Sequence, residues 1–173
     1  MKPIIIDNFF DNPNAIRKYA LQAYYTPLRG SELGGYLKKD AKFGYRTNIY
    51  SRDILFQKNV IDKICDFKIH NKKITNAKVS SHFSPEHVMG ISENFHTLKM
   101  HTDSVNRCDA AGVVYLTPNP PANSGTCIDE YGCVENKYNR FVCYPSSVLH
   151  GPDHLFGQTK NTSRLTITFF LYY

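Results

Sequence analysis

Side chains able to act together on one atom stand closest in LKMHTDS, residues 98–104, as His101-Thr102-Asp103. On an extended strand alternate side chains share a face, so this imidazole and this carboxylate point at the same spot and can hold one divalent ion. Two ligands leave such an ion under-coordinated. A third must come from far along the chain, on a strand folded back beside the first, and His150 in VCYPSSVLHGPD is the candidate. Two imidazoles and one carboxylate on one side of an ion leave the opposite positions open, a coordination suited to Fe(II) that must take further ligands. Arg164 opens the last apolar run, RLTITFFLYY, whose inward face would carry Arg164, Thr166 and Thr168. A guanidinium on such a strand needs a partner if buried, and its planar fork matches a carboxylate. A dicarboxylate with one end on the ion and the other on Arg164 satisfies both groups.

Elements that could position these residues follow from the pattern of the chain. From about residue 74 short runs rich in β-branched and aromatic residues alternate with turns: 77–83, 96–102, 111–117, 125–129, 140–145 and 164–173 read as strands. The breaks between them, TPNPPANSG and HGPD among them, are rich in Pro, Gly and Asn. Ahead of them PIII suggests a first strand, and Asn12 can cap a helix with Pro13 at its first position, running to about Tyr25. Ile16, Tyr19, Ala20 and Ala23 form its apolar stripe, so the helix should lie on a sheet. Residues 26–45 lack a sustained period and read as a surface loop over the site, with Tyr36, Phe43 and Tyr45 as the substrate gate. RTNIY suggests a short strand with Arg46 and Asn48 on one face. Residues 52–67 read as a second amphipathic helix through Ile54, Leu55, Ile61, Ile64 and Cys65. Strands in series behind N-terminal helices indicate a mainly β domain, a jelly roll or double-stranded β-helix. The expectation is one domain over 1–173, with 1–70 as helical support and lid loop and 74–173 as the β-helix core.

Bulk properties set the limits. A chain of 173 residues with 42% hydrophobic residues can build one core. A formal charge of +6 is scattered through the sequence and draws acidic partners only weakly. The cysteines number 5, an odd count with no CxxC pair, and read as reduced thiols of a cytoplasmic protein. No apolar run approaches a membrane span, and the opening MKPIIIDNFFDN is too short in apolar residues for a signal peptide.

Over residues 96–173 the chain resembles the Fe(II)- and 2-oxoglutarate-dependent dioxygenases, above all their prolyl-hydroxylase-like branch. His101 and Asp103 match the HxD motif, His150 in FVCYPSSVLHG the distal histidine, and Arg164 in RLTITFF the basic residue that binds 2-oxoglutarate. RCDAAGVVYLTPNPPANSGTC is similar to the strand, loop and Gly-containing turn that follow the metal motif. The resemblance implies that His101, Asp103 and His150 hold Fe(II) and that Arg164 anchors 2-oxoglutarate, aided by Tyr115 and Thr166. It also implies O2 as co-substrate, ascorbate as a reductant, and hydroxylation of a C–H bond with release of succinate and CO2. Halogenating relatives lack the carboxylate that Asp103 provides. The substrates it admits are an amino acid, a peptidyl residue or another small metabolite. Relatives that repair alkylated nucleic acid carry a second Arg on the last strand, where this chain has Phe170, which sets the nucleic-acid demethylase reading behind the others.

Competing assignments are weaker in residue type or placement. His70, His82, His87, His96 and His154 have no partner at ligand spacing, and Lys160, a possible carboxylate anchor, sits in a loop-like NTS context. Cys127, Cys133 and Cys143 lack the paired spacing of a zinc site. A non-catalytic, cupin-like metal- or ligand-binding module is the alternative of a different class, and it gives Arg164 no reason to face the site.

Overall fold

The computed structural model describes residues 2–29, 42–47, 62–64, 68–69, 71–86, 100–104 and 107–173. Its elements in chain order are β1 (Ile4–Ile6), α1 (Pro13–Gln22), β2 (Thr26–Arg29), β3 (Lys42–Arg46), β4 (Lys68–Ile69), β5 (Lys72–Lys73), β6 (Asn76–Ser84), β7 (Ala110–Tyr115), β8 (Thr126–Ile128), β9 (Gly132–Val134), β10 (Phe141–Pro145), β11 (His150–Pro152) and β12 (Arg164–Tyr172). Seven strands form one antiparallel sheet in the order β1-β10-β7-β12-β6-β3-β2, and three form a smaller one, β11-β8-β9. β4 and β5 pair with each other.

Strict alternation along the central strands gives the large sheet two unlike faces. Leu165, Ile167, Phe169 and Leu171 of β12, with Val114 of β7 and Phe141 and Cys143 of β10, enter a core that also takes Phe9, Phe10 and Ala20. Ile16, Tyr19, Leu21 and Ala23 pack against that core, so the apolar stripe of α1 covers this face. The opposite face carries Val113, Tyr115, Val142, Tyr144 and Phe170, which pack with Ile128 and Val134 of the small sheet. The small sheet therefore lies against the face that carries Arg164, Thr166 and Thr168. That layering is what assembles the site.

Helix α1 begins as its sequence dictates. The Asn12 side chain accepts a hydrogen bond from the Ala15 N–H at 3.1 Å, and Pro13 occupies the first turn. It ends at Gln22, three residues before the expected end, because Ala23 is extended and the chain enters β2 at Thr26. Arg17 donates to the Leu116 and Asn161 carbonyls at 2.7 and 2.8 Å, tying the helix to the segment that leads into β12. At the far edge Arg140 and Lys137 hold Asp7 at 2.6 and 2.7 Å, fastening the chain just after β1 beside the start of β10.

Two expectations from the sequence change here. Both ends of the segment read as a loop, Thr26–Arg29 and Lys42–Arg46, are strands paired with each other, with β3 further paired to β6. Tyr45, expected as a gate, stacks on Phe83 with ring centroids 4.7 Å apart, on the helix-bearing face and away from the site. Tyr36 and residues 30–41 lie outside the described residues, as do most of 52–67, of which 62–64 are helical.

Cys127 and Cys133, expected as thiols, form a disulfide. They are register partners across β8 and β9, with Cα atoms 3.8 Å apart, and a cross-strand pair leaves no CxxC signature in the sequence. Cys108 and Cys143 are free and buried; burial pushes the Cys143 thiol up to about 12. Because the bridge closes a short loop, reducing it is expected to lower the unfolding free energy by about 2 kcal/mol. Denaturant midpoints of oxidised and thiol-treated protein test this; a Cys127→Ser/Cys133→Ser variant should no longer respond to thiol. Equal midpoints for the two forms of the native sequence would show that the bridge contributes no stability.

Candidate metal centre and its carboxylate anchor

One backbone contact brings the distant histidines together. The His101 N–H donates to the His150 carbonyl and the His150 N–H to the His101 carbonyl, each at 2.9 Å, a single antiparallel bridge. Their rings lie 4.5 Å apart at 53°. Two residues on from His101, Asp103 sits in a bend and donates its N–H to the Ser146 carbonyl at 2.8 Å, which docks this loop on the end of β10. The expected strand thus reduces to one bridge at His101, and residues 96–99 fall outside the described ones.

Asp103 lies between the imidazoles, with Oδ2 3.1 Å from His150 Nε2 and Oδ1 3.9 Å from His101 Nε2. The His150 Nδ1–H donates to the Val148 carbonyl at 2.9 Å, because a carbonyl can only accept. In the neutral ring that leaves the Nε2 lone pair facing a carboxylate oxygen, and two acceptors at that distance need a proton or a cation between them. One ligand atom from each of His101, Asp103 and His150 falls within 4.8 Å of the others, so this donor set fits a divalent metal ion. Burial works against the charge of Asp103. The hydrogen bond and charge of His150, then the charges of His101 and Arg46, outweigh burial and hold its carboxyl below the usual range.

Arg164 is 5% exposed. Its Nε donates to the Ser124 carbonyl at 3.3 Å and its Nη2 to Thr126 Oγ1 at 2.9 Å, while the guanidinium carbon lies 5.2 Å from the centre of the Tyr115 ring. Tyr115, wholly buried, shares a 2.6 Å hydrogen bond with the same Thr126 hydroxyl, and burial raises its phenol above the usual range. Thr166 turns its hydroxyl to the His82 carbonyl at 3.4 Å. The small sheet links the two ends of the site. β8 carries Thr126 against Arg164, and its Ile128 pairs with His150 on β11. Two residues along a strand span roughly 7 Å, the scale of a short dicarboxylate. Gly125 is required for this placement, since a Cβ there would run into the Val134 carbonyl oxygen.

Sequence reasoning passed over Ser124 and Thr126, polar partners of Arg164 that only the fold brings across, and Tyr144, whose ring centroid lies 4.2 Å from that of His150. It also passed over Arg46 as a site group: its guanidinium sits 5.7 Å from the Phe170 ring centre, and its charge reaches Asp103. Of the competing residues, Lys160 points to the Ala23 carbonyl and the Tyr25 ring, on the helix side. His154, exposed, is held by Asp153 and the Asn123 carbonyl. His82 lies on β6, while His70, His87 and His96 are outside the described residues. Cys127, Cys133 and Asp153 also cluster, but the two sulfurs are bonded to each other. Among the described residues no helix is long and apolar enough to cross a membrane.

No family model matches the chain. No curated protein matches it in sequence. Among solved structures it is similar to a prolyl hydroxylase from Trichoplax adhaerens in complex with a peptide fragment of the hypoxia-inducible factor oxygen degradation domain. The TM-score is 0.58 at 14% identity, over 98% of this chain and 83% of that one. The likeness shows the fold: mainly antiparallel β, of the jelly-roll type seen in that hydroxylase, with few helices.

Proposed function

We propose that this chain is an Fe(II)- and 2-oxoglutarate-dependent dioxygenase that hydroxylates a C–H bond, built on a double-stranded β-helix. The observation that carries the reading is the meeting of His101, Asp103 and His150 at one point, on the sheet face that also buries Arg164. His101, Asp103 and His150 hold the iron and leave positions open to ligands and dioxygen. The iron, when bound with 2-oxoglutarate, supplies the oxidising chemistry, with succinate and CO2 as by-products. The protein's own groups do the rest. Val148 fixes the His150 tautomer so that Nε2 faces the metal. Thr126 and Ser124 fix the Arg164 fork against the distal carboxylate of 2-oxoglutarate, and Tyr115 braces Thr126. Buried walls of Val113, Val142 and Ile128 exclude water from the region between.

The substrate class is an amino acid, a peptidyl residue or a small metabolite; the similar hydroxylase was solved with a peptide. O2 is the co-substrate and ascorbate the reductant that keeps iron ferrous. One experiment tests the reading. Anaerobic protein with Fe(II) and 2-oxoglutarate should develop a visible charge-transfer band, and admitting oxygen should yield succinate. Metal binding with neither band nor succinate would leave a cupin-like binding module in its place.

A further inference from the structure

Tyr144 takes no part in the triad or in the guanidinium anchor, yet it is 3% exposed at the centre of the site. Alternation along β10 sends Phe141 and Cys143 to the helix-side core and Val142 and Tyr144 to the site face. The Tyr144 ring leans on the His150 imidazole at 40°. Its hydroxyl makes no hydrogen bond among the described residues, whereas the neighbouring Tyr115 hydroxyl is bound to Thr126. The groups whose charges reach the Tyr144 hydroxyl include Asp103 at the metal end and Arg164 at the anchor end, with Tyr115 beside them. Its cross-strand partner is Ala111.

A phenol oxygen that the protein leaves without a partner, on a side chain otherwise enclosed, is free to meet a ligand. Phenylalanine would fill the same space beside His150, so ring packing alone does not account for the hydroxyl.

We propose that Tyr144 is a further ligand-binding residue, donating its O–H to an oxygen of the dicarboxylate that lies between the triad and Arg164. The ligand is then held at three places: metal, phenol and guanidinium. This rests on the reading of the site as one for 2-oxoglutarate. The acceptors are the ligand's carboxylate and keto oxygens, since the methylenes between its ends accept no hydrogen bond, so the phenol fixes how the oxygen-bearing end beside His150 is turned.

Tyr144→Phe removes one oxygen and keeps the ring. Calorimetry on Mn2+-loaded protein, wild type and variant, with 2-oxoglutarate as titrant reads the effect without turnover. The variant is expected to bind 2-oxoglutarate about tenfold more weakly while its Mn2+ affinity and thermal midpoint stay at the wild-type values or above. Equal 2-oxoglutarate affinity in the two proteins would overturn the role of Tyr144 and leave the proposed function standing. A parallel loss of Mn2+ affinity would overturn it too, reducing the residue to support for His150. No 2-oxoglutarate binding by the wild type would overturn the reading of the site, and this inference with it.

Discussion

His150→Ala is expected to weaken Mn2+ or Fe(II) binding by more than about a hundredfold, since losing even the outer partners of a metal ligand costs 10–100-fold. The effect should be this large because His150 is the most constrained of the three proposed ligands. It is 3% exposed, its backbone is bridged to His101, and its Nδ1–H is committed to Val148. No rotation of a neighbour replaces it. His154→Ala is the matched control: His154 lies close by in sequence but is exposed and bound to Asp153 and Asn123, so the metal affinity should not change. Titration of both variants with Mn2+, followed by water-proton relaxation or calorimetry, separates the outcomes. The triad is wrong if His150→Ala retains wild-type affinity.

The same substitution has a second expected consequence in the metal-free protein. Burial alone raises the Asp103 carboxyl, and His150 is the largest opposing influence. With His150 gone the balance tips toward burial, and the folded carboxyl should move up from its present position below the usual range. A carboxyl held low contributes stability above its unfolded value that is lost as pH falls through its folded value. The variant should therefore lose stability relative to the metal-free wild type across neutral pH, and the two should converge in acid. Chemical denaturation of both chelated proteins at neutral and acid pH reads this.

Legibility in the sequence followed the range of the interactions involved. Helix α1 was readable because its cap, first-turn Pro and apolar stripe are local, and β6, β7, β10 and β12 because alternation or β-branched runs mark them. His101 and Asp103 could be paired by spacing alone, but that His150 joins them depends on one bridge between distant residues. β8 was readable within 125–129, whereas the three-residue strands β9 and β11 carry too few side chains for a period to show. For the same reason the Cys127–Cys133 bond and the Thr126 contact to Arg164 escaped: each is made by register across strands, which the order of residues does not encode locally. Pairing of β2 with β3 was hidden likewise, because a hairpin with a long connection reads as a loop when only its composition is considered.

Arg164→Met should raise the dissociation constant for 2-oxoglutarate by about two orders of magnitude, the cost of leaving a buried carboxylate without its charged partner being about 3 kcal/mol. Mn2+ affinity should be untouched, because Arg164 donates to Ser124 and Thr126 on the small-sheet side and supplies no ligand atom to the triad. Arg164→Lys sharpens the test. A lysine keeps the charge but gathers its three donors on one nitrogen, where the guanidinium spreads its donors over a rigid fork, so it does not reproduce the spacing that reaches the Ser124 carbonyl and the Thr126 hydroxyl while meeting a carboxylate with two parallel bonds. Partial recovery of affinity, short of wild type, is therefore expected. A positive charge is also what the Tyr115 ring now faces, with the guanidinium carbon 5.2 Å from its centre, so the methionine variant loses that contact as well as the anion's partner. Stability separates these losses: if the variant unfolds at a lower midpoint than the wild type yet binds 2-oxoglutarate as tightly as before, Arg164 is a structural residue of the sheet packing and the anchor must be sought elsewhere on the site face, with Arg46 the next cation to replace.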